Sequence, residues 1–157
     1  NQKELLNLDL SQYDGIILSP GPGKPETSGH LMAFIARIPA DKKMLGVCLG
    51  FQALAIHAGY KLKNLPNVLH GATKQVVFNK DKLLYQNIQE PLETGHYHSW
   101  VINSQGSPDT LDICAYFDNI PASFQVKGKP WFAVQYHPES ILTPQGKNIL
   151  ENWLEYR

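Results

Sequence analysis

A cysteine with a glycine two positions away on each side, Gly46-Val47-Cys48-Leu49-Gly50, follows an apolar run and leads into a helix-forming stretch. This is the cysteine form of a nucleophile elbow, in which a strand turns sharply into a helix and lifts one side chain clear of the sheet. Gly46 and Gly50 suit such a turn because a side chain at either place would crowd it. Cys48 would stand at a helix N-terminus, where unpaired N–H groups and the helix dipole favour a thiolate over a thiol. A buried structural cysteine in a glycine-containing turn would give the same local pattern. The partners of Cys48 therefore decide between the two readings.

A thiol nucleophile needs a base, and the base needs an acceptor that orients it. His137-Pro138-Glu139 follows the apolar run Trp131 to Tyr136. Strand residues two apart point the same way, so His137 and Glu139 could lie together at a strand end, with Pro138 offering no ladder N–H. Taken alone, the tripeptide reads equally as a surface turn. Acyl chemistry also needs an oxyanion hole. The N–H of Leu49, next to the nucleophile, is the natural first donor, and the Gly21-Pro22-Gly23 loop can bring in a second. Cysteine elbow, histidine–glutamate pair and glycine loop together point to a thiol acyl-transfer site.

The elements around these residues read as α/β. Gly15-Ile16-Ile17-Leu18 is a continuous apolar run suited to a strand buried on both faces, and it stops at the rigid loop Ser19 to Pro25. Residues 2–8 read as a helix tail or connecting segment. A helix starts near Ser28-Gly29-His30 with Leu31, Phe34, Ile35 and Ile38 on its apolar face, and Pro39 closes it. The elbow strand and a helix from Phe51 to Ala58 follow, with Gly59 as C-cap. This rhythm predicts a parallel sheet, with the 19–25 and 48–52 loops at the strand ends where ligands bind.

From Tyr60 onward the pattern turns to strands, at Thr73 to Phe78, Thr94 to Ile102, Leu111 to Tyr116, Ser123 to Val126 and Trp131 to Tyr136. A turn at Lys127 to Pro130 joins the last two. Thr143-Pro144 reads as N-cap and N1 of a final helix with Ile149, Leu150, Trp153 and Leu154 as its apolar face.

Composition bounds the function. The 157 residues carry 14 basic and 14 acidic side chains, a balance that gives no bulk attraction to nucleic acid or to an anionic membrane. No apolar run approaches the ~20 residues needed to cross a bilayer. Two cysteines, Cys48 and Cys114, make a poor disulfide framework, which points to a reducing cytoplasm, and Cys114 reads as inert core. His30, His57 and His70 show no metal-ligand spacing. His96-x-His98 could in principle chelate on a strand face, but no metal site is expected.

The segments Ser19-Pro20-Gly21-Pro22-Gly23-x-Pro25, Gly46-Val47-Cys48-Leu49-Gly50-x-Gln52 and His137-Pro138-Glu139-Ser140-Ile141 together resemble class I (triad-type) glutamine amidotransferases. With Pro25-Glu26, His70-Gly71, Tyr97-His98-Ser99 and Leu142-Thr143 added, the chain is most similar to the glutaminase subunits of anthranilate and aminodeoxychorismate synthases. The resemblance implies one glutaminase domain over residues 1–157. It also implies a flavodoxin-like, mostly parallel central sheet flanked by helices, with a smaller antiparallel portion.

It further implies the catalytic roles. Cys48 attacks the side-chain amide of glutamine, His137 protonates the departing ammonia, and Glu139 orients the imidazole. Gly21 and Leu49 donate to the oxyanion, while Gly23, Gln52, His98, Ser99 and Trp100 bind the glutamine. Ammonia passes to a larger chorismate-using synthase subunit. That subunit binds the Mg²⁺, and no cofactor is expected here.

Two departures from the family pattern stand out. Phe51 occupies a place usually taken by histidine and reads as a packing or interface variant. A first strand and helix that the family places ahead of residues 1–14 are absent from the sequence, so the domain reads as N-terminally short. A glutaminase serving GMP or carbamoyl phosphate synthesis is the alternative within the family. A non-catalytic subunit of the same fold would be expected to lack Cys48 or His137. The glycine loop and Gln52 argue against a γ-glutamyl peptidase.

Overall fold

In the computed structural model, which describes residues 3–156, seven strands form one mixed sheet. They are β1 (Gly15–Leu18), β2 (Lys43–Val47), β3 (Lys61–Phe78), β4 (Leu92–Asn103), β5 (Leu111–Phe117), β6 (Ile120–Val126) and β7 (Trp131–Val134). Their spatial order is β1-β2-β7-β6-β5-β3-β4. Helices α1 (Leu31–Arg37) and α2 (Leu49–His57) pack on one face and α3 (Gly146–Glu155) on the other. Short 3₁₀ turns lie at Lys3–Asn7, Leu10–Gln12, Pro25–Thr27 and Leu83–Tyr85, while Gln2 of the expected leading segment lies outside the described residues.

The alternation of β2 sorts its side chains between two cores. Leu45 and Val47 join Phe132, Val134, Tyr136, Ile149 and Trp153 beneath α3. Met44 joins Phe34, Ile35, Phe51, Leu54 and Phe124 beneath α1 and α2. Phe51 is completely buried, its ring centroid 4.7 Å from that of Phe124, so the residue is a packing side chain and not an interface one.

Several expectations are corrected. The α/β class holds, but the sheet is not mostly parallel: β1, β2 and β7 run parallel, whereas β6, β5, β3 and β4 are joined antiparallel. The strand–helix alternation stops at α2, and tight turns then connect strands directly. Asp118 and Asn119, both at positive φ, make the β5–β6 hairpin. Strand β1 is an edge strand among the described residues, and Ile17 is 51% exposed, so the apolar run is not buried on both faces.

Helix α3 begins at Gly146 rather than at Pro144, because the Thr143 hydroxyl is engaged elsewhere: it donates to His137 O and accepts from Gly95 N. Ile149 and Trp153 are buried as expected, but Leu154 is exposed.

Candidate active site

The elbow forms as read. β2 ends at Val47, α2 begins at Leu49, and Cys48 between them takes φ 51° and ψ −97°, a strained backbone for a residue with a side chain. The backbone N–H of Cys48 donates to Val134 O at 2.9 Å, which ties the nucleophile to the end of β7. A methyl group on Gly50 would come within 2.3 Å of Leu18 O, and one on Gly46 within 2.7 Å of the Gly50 backbone. This closeness lets the start of α2 lie directly on the end of β1 and so sets the elbow beside the 19–25 loop.

Pro20 and Pro22 lack N–H groups, leaving Gly21 and Gly23 as the donors of that loop. Gly21 packs on Leu49, whose Cδ2 would lie 2.8 Å from an added Cβ. Ser28 Oγ donates to Lys24 O at 2.7 Å, and Lys24 Nζ sits 3.8 Å above the Trp100 ring, clamping the loop to β4.

A cleft of about 180 Å³ lies between loop, elbow and β-strands, lined among others by Gly21, Gly23, Cys48, Gln52, His98, Ser99 and Trp100. Gln52 Nε2 donates to Trp100 O at 3.0 Å. Val68, Leu69 and His70, carried by β3 next to an irregularity in its pairing, close the other wall with Tyr97.

His137 Nδ1 and Glu139 Oε1 are 2.7 Å apart, the pairing the sequence suggested. They meet within a tight turn, with Ser140 N donating to His137 O, and not by strand alternation, because β7 stops at Val134. Several contacts pin this turn to β4. His137 N donates to Gly95 O at 3.0 Å, Tyr97 Oη and Ser140 Oγ are 3.2 Å apart, and the Tyr97 ring meets His137 edge-on at 4.9 Å. His137 Nε2 is buried and has no partner among the described residues, so it is free to exchange a proton.

The thiol does not match the expectation of a thiolate. Burial pushes Cys48 up to about 11, and the Glu139 charge adds to the rise, while the Leu49 N–H and the Gln135 amide favour the anion. The dry elbow outweighs the helix terminus, so the nucleophile rests as a thiol.

Sequence reasoning missed Gln135, whose fully buried amide has no well-formed hydrogen bond among the described residues and neighbours Cys48. Its position two residues before His137 was the available signal. Gly95, Tyr97 and Thr143, which hold the His137 turn, gave no signal that local patterns could carry.

The remaining polar residues are accounted for. His30 flanks α1, His57 ends α2 beside Trp131, and His70 meets Tyr97 edge-on. Cys114 is buried and unbonded. His96 and His98 bond each other and do not converge on a common point, and among the described residues no group of three metal-binding side chains occurs. No described helix is long and apolar enough to cross a membrane.

Comparison with known proteins agrees with this site. The sequence profile of the class-I glutamine amidotransferases matches residues 1–156, and the chain belongs to that family. It is 37% identical over 153 residues to anthranilate synthase component 2 of Cyanophora paradoxa, covering 96% of this chain and 78% of that protein. It is 38% identical over 140 residues to the bifunctional protein TrpGD of Thermotoga maritima, covering 88% of this chain but 24% of that longer protein. Among solved structures, a candidate GMP synthase glutaminase component of Thermoplasma acidophilum superposes with a TM-score of 0.79 at 23% identity, covering 92% of this chain and 73% of that one, a likeness of fold alone.

Proposed function

We propose that this chain is a glutaminase that hydrolyses glutamine through a thioester on Cys48 and delivers the ammonia to a larger synthase subunit making anthranilate or aminodeoxychorismate from chorismate. The observation that carries the reading is the convergence on one cleft of Cys48, the glycine loop, Gln52 and the 98–100 segment, beside a paired His137 and Glu139. Relatives named as anthranilate synthase component 2, 37–40% identical, support the choice of acceptor.

His137 Nε2 takes the thiol proton as Sγ attacks the side-chain carbonyl carbon of glutamine. The resulting oxyanion is held by the N–H groups of Leu49 and Gly21. The imidazolium, stabilised by Glu139, returns its proton to the leaving nitrogen, and ammonia departs as the C–N bond breaks. Water, deprotonated by His137, then attacks the thioester carbon; the C–S bond breaks, glutamate leaves and the thiol is re-formed. Because the resting group is a thiol, nucleophile formation and proton transfer to His137 are one event. Gly23, the free Oε1 of Gln52 and the backbone of residues 98–100 hold the amino-acid end of glutamine. Mg²⁺ serves the synthase in this scheme.

The test is glutamate release from glutamine by the chain, alone and with each candidate synthase. Cys48-dependent release that rises with a chorismate-using synthase is expected. Release that rises instead with a GMP or carbamoyl phosphate synthase would move the acceptor, and no release by a folded complex would overturn the reading.

A further inference from the structure

Beneath the glutamine cleft a row of polar side chains crosses the interior of β4. Thr94 Oγ1 lies 2.9 Å from His96 Nε2, His96 Nδ1 lies 2.9 Å from His98 Nε2, and His98 Nδ1 lies 3.1 Å from Trp100 O. Thr94 and His96 are wholly buried and His98 nearly so. Phe117 packs at 4.5 Å from the His96 ring. The far end of the row is the carbonyl that Gln52 Nε2 also grips.

The direction of this row is fixed by its end. A carbonyl can only accept, so His98 Nδ1 must carry the proton. His98 Nε2 is then an acceptor, which requires the proton on His96 Nδ1. His96 Nε2 in turn accepts from the Thr94 hydroxyl. The reverse order, with Thr94 donating to Lys74 O at 3.1 Å, would leave the His98 Nδ1 lone pair against the Trp100 carbonyl lone pairs. A buried polar contact of that kind is strongly disfavoured. Burial holds both imidazoles well below their usual range, His96 to about 3 and His98 to about 4, so two neutral rings of defined tautomer occupy the row at neutral pH.

We propose that His96 is a positioning residue of the glutamine site: by donating from Nδ1 it locks His98 in the Nδ1–H tautomer, and His98 with Gln52 fixes the Trp100 carbonyl that shapes the amino-acid end of the cleft. The functional half of this statement rests on the glutaminase reading. The tautomeric half does not. With the Trp100 carbonyl held from two sides, Gln52 presents Oε1 to the cleft, where it can accept from the glutamine ammonium. Removing His96 frees His98 to adopt either tautomer, and half of the support for that carbonyl becomes repulsive.

The experiment compares the full chain with His96→Leu and with His96→Asn, whose amide can place a donor where the Nδ1–H stood. Nitrogen-15 NMR of the histidine rings reads the tautomer directly, without any activity. Glutamine affinity is read by calorimetry in a Cys48→Ala background, where no turnover occurs. The expected result is His98 as Nδ1–H in the wild type, loss of that single tautomer in His96→Leu, and about tenfold weaker glutamine binding, equivalent to ~1.4 kcal/mol. His96→Asn is expected to restore most of both. In turnover the loss should fall on KM with kcat within about twofold, since no reacting atom is touched.

His98 found as Nε2–H in the wild type, or unchanged glutamine affinity in a folded His96→Leu protein, would overturn the proposal. Failure of the glutaminase reading would show separately, as absence of Cys48-dependent glutamate release by the wild type.

Discussion

Gly146, the first residue of α3, lies against the peptide that joins His137 to Glu139 through Pro138. A Cβ added there would stand 1.9 Å from Pro138 O and 2.6 Å from Pro138 C, both backbone atoms that no rotamer change can remove. Relief to an ordinary C···O separation of about 3.3 Å requires a shift of roughly 1.4 Å by the turn or by the helix. The helix is the firmer body. Ile149 and Trp153 are buried, and Lys43 Nζ donates to Leu154 O and Tyr156 O at its far end. The turn is held by single hydrogen bonds and an exposed Tyr97–Ser140 contact, so it should yield, carrying His137 Nε2 away from the elbow.

Misplacement of a catalytic group by about 1 Å costs on the order of 10²-fold, and overpacking costs roughly 1–3 kcal/mol of stability. Gly146→Ala is therefore expected to lower glutaminase kcat by about 10²-fold while melting several degrees lower. The control is Gly128→Ala. Gly128 sits at φ 74° in the distant β6–β7 turn with nothing within 4 Å, and its strain alone should cost about 1 kcal/mol with kcat intact. Both are assayed by glutamate release with the synthase present and by thermal melting, and iodoacetamide alkylation of Cys48 checks the elbow. A Gly146→Ala enzyme whose kcat matches that of Gly128→Ala would refute the argument that this glycine sets the histidine.

Cys48→Ala should abolish glutamate release and leave the melting temperature within a few degrees, because the side chain is small and its backbone strain persists; residual turnover above background would displace Cys48 as the nucleophile. Glu139→Gln should lower kcat by about 10²-fold, less than the ~10⁴-fold seen when a fully buried triad carboxylate is neutralised, because Glu139 is 52% exposed and water can replace part of its effect; an unchanged kcat would remove it from the machinery. His96 and His98 refuse protons that the unfolded chain accepts near pH 6.5, so their contribution to stability is complete above that pH and is lost as pH falls toward about 4 and about 3. Urea midpoints should fall between pH 6.5 and 4, by up to about 1.4 kcal/mol per pH unit for each histidine, and less steeply in His96→Leu. A midpoint independent of pH over that range would contradict the burial of these rings.

What could be read in the sequence was what short range determines. The elbow was legible because glycine at positions 46 and 50 is demanded by contacts a few residues away, and the glycine loop because prolines leave so few conformations. Phe51 was legible only to a choice between packing and interface, since its neighbour Phe124 is remote in sequence. The strand runs of β5 and β6 were visible, but no local pattern told that the second half of the sheet would run antiparallel. The start of α3 was misplaced for a related reason. Thr143 has the residue type of an N-cap, yet its hydroxyl bonds Gly95 and His137, which only the assembled fold brings near.

The thiol state failed at a different level. A helix N-terminus is a local property and argues for a thiolate, whereas the desolvation that reverses it comes from long-range packing around Cys48. That reversal has mechanistic content. A permanently ionised thiolate beside Glu139 would leave His137 without a proton to receive, and the imidazole would have to find the leaving-group proton elsewhere. With the sulfur protonated at rest, the proton that His137 delivers to ammonia is the one it took from Cys48, and substrate must be in place before the charge is worth forming. The same packing that hides the thiol therefore makes nucleophile formation conditional on glutamine, which suits a glutaminase whose product is useful only when an acceptor is waiting. The pinning of the His137 turn to β4, the strand that also lines the glutamine cleft, gives that condition a structural route.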